Sequence, residues 1–152
     1  MSTTVKTLYD TDFVEWTSRT AELLRAGRLE EVDLEHVAEE IEDLGRSERR
    51  AIRSPLRRLL VHALKTRIQS ERAGRSWKGS IVSAQKEIRD QLRDAPSLRR
   101  HLEESLPEIY RDAIEVALAE THLRTGRQAP DIPAECPYSL AELLEGNPGD
   151  LV

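Results

Sequence analysis

At 152 residues, 38% of them hydrophobic, the chain is long enough to close one core, and its single cysteine, Cys136, excludes an internal disulfide framework or a cysteine-rich zinc site. Its 28 Asp and Glu outnumber its 23 Lys and Arg, and a net charge of −5 disfavours long-range attraction of polyanions by the molecule as a whole. No apolar run approaches the roughly 18 residues of a membrane helix, and the first twenty residues carry Asp10, Asp12 and Glu15 with no apolar leader core, so a reducing cytoplasm is the expected location.

Capping chemistry divides the chain into helices. Asp12 with Glu15 predicts a helix over 13–26, with Phe13, Trp16, Thr20, Leu23 and Leu24 on one side and Gly27 as its stop. Asp33 opens a second helix in which Leu34, Val37, Ala38, Ile41 and Leu44 recur at helical spacing, a stripe expected to be buried, and Gly45 ends it. Ser47 caps a third, with Ile52, Leu56, Leu59, Leu60 and Ala63 sharing a face up to about Ser70; Pro55 inside it predicts a kink or two helices meeting end to end.

Ser76 precedes Trp77, Ile81, Ala84, Ile88 and Leu92, a fourth helix stopped by Asp94-Ala95-Pro96, in which Trp77 is expected to anchor the core. Ser97 caps a fifth carrying Leu98, Leu102 and Leu106, and Pro107 suits the first turn of a sixth with Ile109, Ala113, Val116 and Ala117 inward; the two are compatible with one continuous helix. From Arg124 to Pro137, Gly126, Pro130, Pro133 and Pro137 interrupt any period, which predicts an extended segment pinned by Cys136 and Tyr138. Ser139 and Glu142 form a capping box for a last short helix ending at Gly146, with fraying expected beyond it. The fold expected is all-α: an antiparallel bundle of about five or six helices with a Pro-rich C-terminal segment and a short last helix. A single domain is expected over 8–146, with flexible ends at 1–7 and 147–152.

Several phrases carry a resemblance: Asp12-Phe13 with Trp16; Glu39-Glu40-Ile41-Glu42 with Gly45 and Ser47-Glu48-Arg49-Arg50; His62 with Leu64-Lys65; Arg75-Ser76-Trp77 with Ile81 and Gln85; Pro96-Ser97-Leu98; and Cys136-Pro137-Tyr138. As an ordered set over residues 8–145 the chain resembles the bacterial family called domain of unknown function twenty-nine. The resemblance implies a small, all-helical, cytoplasmic bacterial protein with no established activity. The chain departs from the pattern after Lys65, where Thr66-Arg67-Ile68 stand in place of an aromatic.

Charge is segregated along the chain. From Glu30 to Asp43 there are eight acids and no Lys or Arg, whereas from Arg46 to Lys78 eleven bases face only Glu48 and Glu71. Arg46, Arg50, Arg53 and Arg57 form a stripe at i, i+4, i+7 and i+11 if the helix continues through Pro55. One reading pairs this stripe with Glu35, Glu39 and Glu42 on the neighbouring helix; the other has it bind an external phosphate or acidic partner. Arg75 and Lys78, at the start of the fourth helix, are further anion-binding candidates, although Gly74 to Ser80 lacks the glycine order of a phosphate loop.

Glu40, His62 and Gln85, with Glu87 as an adjunct, form a candidate polar cluster, because the first two lie on the flanks of their apolar stripes. A buried hydrogen-bonded pair and an acid–base or metal-binding site are both compatible with those residue types. No histidine follows a Glu at the Glu-x-x-His spacing, and no nucleophile elbow or zinc motif occurs, so no catalytic residue, metal or cofactor is assigned. Cys136, beside Glu135 and without a base, reads as structural. The function expected is therefore a binding or interaction module whose occupant is a protein partner or a second copy. The rivals are an enzyme or metal protein built on Glu40, His62 and Gln85, and nucleic-acid or phosphate binding through the arginine stripe.

Overall fold

The computed structural model describes residues 5–69, 75–121 and 132–151, and among them helices are the only regular secondary structure. In chain order they are α1 (Val5–Thr11), α2 (Phe13–Arg25), a 3-10 turn (Leu29–Glu31), α3 (Leu34–Ile68), α4 (Arg75–Asp94), α5 (Leu98–Glu120) and α6 (Leu140–Glu145). The fold is all-α, and none of these helices is long and apolar enough to cross a membrane. By its internal contacts the chain divides into two compact units, Met1–Ser47 and Glu48–Val152.

In the N-terminal unit, the Asp12 carboxylate accepts the Glu15 amide at 3.1 Å and so caps α2. The helix ends in a Schellman motif, with the Gly27 amide on Leu24 O at 3.1 Å and the Arg28 amide on Leu23 O at 3.0 Å. Gly27 takes φ = 70°, a left-handed backbone that a side chain would strain. Trp16, Thr20, Leu23 and Val32 are buried here.

The expected second and third helices are one helix, the 35-residue α3, which runs through Gly45, Ser47 and Pro55. Gly45 stays within the helical run, and among the described glycines Gly27 alone takes the left-handed backbone of a C-terminal stop. An interior glycine costs only about 1 kcal/mol. Arg46 bridges the same stretch, pairing with Asp43 through a 2.9 Å Nε contact and with Glu42 at 3.8 Å. Pro55 removes the bond its amide would have made to the preceding turn, but its ring is fully buried, and that packing offsets the loss. The acidic and basic stretches are thus successive lengths of one helix. This corrects the reading that pairs them as neighbouring helices.

The C-terminal unit closes an aliphatic core from Ile52, Leu56, Leu59 and Leu60 of α3, Ile81, Ala84 and Ile88 of α4, Leu102, Ile109 and Ala113 of α5, and Leu143 and Leu144 of α6. Arg53 pairs with Glu108 at 3.0 Å and Lys65 with Glu120. Both partners advance in the same sense, so α3 and α5 run parallel and α4, which joins them, returns antiparallel. Consecutive long helices are up-down-up, as short connections favour. α5 is continuous through Pro107, and the Ser97 hydroxyl makes no cap bond. Trp77 is half-buried and lies outside the core cluster, so it is not the expected core anchor.

The capping box on α6 is complete: Ser139 Oγ accepts the Glu142 amide at 3.2 Å and Glu142 accepts the Ser139 amide at 2.7 Å. At Gly146 an added Cβ would lie 2.3 Å from Glu142 O, which excludes any side chain there without a backbone shift. Beyond it, residues 148–151 form a turn. The Asp150 amide bonds Asn147 O at 2.8 Å, and this turn seats Leu151, 4% exposed, in the core. Of the expected extended segment, residues 132–137 are non-helical and the stretch 124–131 lies outside the described residues. Tyr110 Oη donates to Pro133 O at 2.8 Å and holds that segment to α5.

Candidate functional site

The stripe expected to be buried on the second helix lies open. Leu34, Ile41 and Leu44, on one face of α3, are 57%, 62% and 68% exposed, and Val37 between them is half-buried. Phe13, Val14, Leu24 and Leu29 of the same unit are exposed as well, and Val82 is the one large apolar side chain of the C-terminal unit that joins them among the described residues. Periodicity marks a face that needs a partner without saying whether the chain itself supplies one. Glu35 and Glu42 lie about a quarter-turn to one side of the stripe and Glu40 to the other. Over 1–47, twelve acids stand against five Lys and Arg, a net charge of −7.

Beside that face is an aromatic and acidic clamp that the sequence reading did not contain. The Tyr9 ring stacks on His36 with centroids 3.8 Å apart and meets Trp16 edge-on at 5.0 Å, while Phe13 stacks on Trp16 at 5.5 Å. Tyr9 Oη donates to Glu40 at 2.7 Å, and that bond to a carboxylate pushes the phenol up to about 12. Asp33 is buried and lies 2.6 Å from His36 Nδ1; because the carboxylate only accepts, Nδ1 carries the proton and Nε2 is left as the basic nitrogen. The same carboxylate raises the His36 pKa. Asp33 and His36 could have been found from their i, i+3 spacing at a helix start. Tyr9 could not, because it meets Glu40 across 31 residues of sequence.

Each member of the predicted polar cluster has its own surroundings. Glu40 takes the Tyr9 hydroxyl in the N-terminal unit. Gln85, in the C-terminal unit, is buried and donates Nε2 to Leu143 O at 2.9 Å and to Gly146 O at 3.0 Å, while Arg89, one turn on, donates to Leu144 O at 3.2 Å. These two side chains of α4 satisfy the carbonyls that the end of α6 leaves unpaired. His62 is half-buried; its Nδ1 has no hydrogen-bond partner among the described residues, and burial, followed by the charge of Lys65, lowers its pKa. Glu87 pairs with Arg58. Among the described residues no three His, Cys, Asp or Glu side chains converge as metal ligands.

The arginine stripe separates into parts. Arg46 is neutralised within α3 by Asp43 and Glu42. Arg50, Arg53 and Arg57, with Ser54, line a groove of about 230 Å³ whose α5 wall is Ile109 and Asp112. Arg53, 28% exposed, is tied to Glu108 at 3.0 Å, whereas Arg50 and Arg57 are exposed and have no ion-pair partner among the described residues. Lys78 is exposed on α4, and the Arg75 side chain lies outside the described residues. A larger depression of about 520 Å³ runs between α5 and residues 134–136. Its Cys136 donates Sγ to Tyr138 O at 3.4 Å, and burial pushes the thiol up, the wrong direction for a nucleophile.

An all-helical chain with an open apolar face and an arginine-lined groove is a class the fold defines only coarsely. The family narrows it: residues 8–147 match the model of the family described as domain of unknown function DUF29, and the chain belongs to that family. No curated protein and no solved structure matches the chain.

Proposed function

We propose that the chain is an interaction module whose N-terminal unit docks a basic, apolar-faced helix of a partner protein. The observation that carries this reading is the open stripe Leu34, Ile41 and Leu44 on a face bordered by Glu35, Glu40 and Glu42. Burying each such side chain at an interface contributes about 1.5–3 kcal/mol, and the acids on both flanks supply on-rate and orientation for a cationic partner. Helix-in-groove recognition reads anchors at this spacing. A second copy of the same surface is disfavoured, because each copy of the unit carries −7.

The test is fluorescence anisotropy with a labelled 20-residue amphipathic peptide that has leucines on one face and lysines at its borders. Micromolar binding that weakens at least tenfold in Ile41→Ser/Leu44→Ser, with helicity unchanged by circular dichroism, supports the reading. Equal binding of the variant, or of the same peptide with glutamates in place of lysines, overturns it. So does a concentration-dependent dimer, seen by light scattering, that the double variant abolishes.

A further inference from the structure

A second site stands independently of the docking face. We propose that the groove of Arg50, Arg53, Ser54 and Arg57 between α3 and α5 binds a phosphoryl group carried on a small carbon skeleton. Three guanidinium groups issue from two turns of one helix, spaced i, i+3 and i+7, so that their stems start within roughly 10 Å of helix axis at 1.5 Å per residue. Arginine side chains of that reach can converge on one tetrahedral anion, and the planar fork of each matches phosphoryl oxygens two at a time.

The three are not equivalent. Arg53 is held against α5 by Glu108 and sits deepest, so it is pre-positioned and partly neutralised. Arg50 and Arg57 are the uncommitted charges on either side of it. Ser54 adds a hydroxyl donor between them, and the buried Ile109 gives the floor an apolar surface against which carbon, not more charge, can pack.

Asp112 on the opposite wall decides the ligand class. An exposed carboxylate lining the same groove as the guanidinium groups opposes a polyanion that would fill the whole groove, and it can accept a hydroxyl group of a small organic phosphate. The volume of about 230 Å³ exceeds the 150 Å³ or so of an engineered cavity that takes up benzene, so a phosphate monoester of a three-carbon alcohol fits. With a molecular net charge of −5, long-range steering does not assist a nucleic acid, whose affinity would rest on many phosphates at once. A monoester needs only the local cluster.

The experiment is calorimetric and NMR titration of the full chain, at 20 mM NaCl, with glycerol 3-phosphate, inorganic phosphate and a single-stranded 20-mer oligonucleotide. The expected result is saturable millimolar or tighter binding of glycerol 3-phosphate, at least threefold tighter than inorganic phosphate, with the Arg50, Arg53 and Arg57 side-chain resonances moving. Arg50→Ala/Arg57→Ala should weaken it at least tenfold and Arg57→Lys several-fold, because the lysine keeps the charge and loses the fork. Asp112→Asn should act in the opposite direction, tightening inorganic phosphate two- to fivefold. The Arg99→Ala/Arg100→Ala control, on the first turn of α5, should bind like the parent. No saturation by 20 mM overturns the proposal, as does an equal loss in the control, a tighter oligonucleotide than monoester, or an Asp112→Asn variant that weakens phosphate binding while its helicity is unchanged.

Discussion

The C-terminal unit hides its aliphatic side chains, and the N-terminal unit leaves many of its own in water. Ile52, Leu56 and Leu59 of α3 are fully buried, whereas Leu34, Ile41 and Leu44, earlier on the same helix, are mostly exposed. The two units also differ in what holds them. One is built on aliphatic packing from four helices; the ring contacts among the described residues, Tyr9, Phe13, Trp16 and His36, all belong to the other. Their charges diverge too, at −7 over 1–47 and +2 over 48–152. A single amphipathic helix can therefore serve as core in one stretch and as an offered surface in another, and its local pattern does not distinguish the uses.

The sharpest way to break the comparison is to delete equivalent side chains on either side of Ser47. Leu59→Ala should cost about 2–5 kcal/mol, because it removes buried methyl groups and leaves a cavity. Leu44→Ala should stay within about 0.5 kcal/mol, since its side chain already meets solvent. Urea denaturation monitored by circular dichroism measures both. A large loss for Leu44→Ala would show that the stripe is covered within the chain and would remove the basis of the docking reading.

Gln85 sharpens the picture of the C-terminal unit. Gln85→Ala strips the donors from Leu143 O and Gly146 O and should cost about 1–3 kcal/mol, the range for leaving buried acceptors unpaired. Gln85→Glu should be worse, because a carboxylate presents no donor and aims charge at carbonyl oxygens. If α6 is undocked, amide exchange over 140–145 should accelerate ahead of global unfolding. Equal protection in the parent and Gln85→Ala would show that Leu140, Leu143 and Leu144 alone hold the helix.

What could be read beforehand follows from the range of the physics involved. Asp12, Gly27, Ser139 and Glu142 act within four residues, and the boundaries they predict are those observed. Gly45 and Ser47 carry the same residue types but cap nothing, because the ion pairs of Arg46 and the buried ring of Pro55 favour continuing the helix. The α4 core positions Ile81, Ala84 and Ile88 were legible from period alone. The arginine groove was half legible: the spacing of Arg50, Arg53 and Arg57 is local, but Ile109 and Asp112 come from a helix fifty residues on. Gln85 is legible as a member of a candidate polar cluster, yet its role depends on α6, 58 residues away. Nothing local joins Tyr9 to Glu40, and so the clamp was out of reach.

The smallest effect is the most diagnostic, because it carries opposite signs in the two units. Asp33 raises the His36 pKa above the ordinary value near 6.5, so the folded N-terminal unit holds a proton that the unfolded chain releases. Its contribution is fully present below about pH 6.5 and is lost as pH rises through the folded value. His62 is the reverse: burial lowers its pKa, the unfolded chain binds the proton first, and stability in the C-terminal unit declines as pH falls below about 6.5 towards the folded value. Residue-resolved amide exchange at steps from pH 5.5 to 7.5, corrected for intrinsic rates, should show α2 protection favoured at the acid end and α5 protection at the neutral end. His36→Gln should flatten the first trend and His62→Gln the second, each leaving the other in place. A common slope in both helices would mean that the two histidines titrate against one shared unfolding event, and that the units differ in surface without differing in stability.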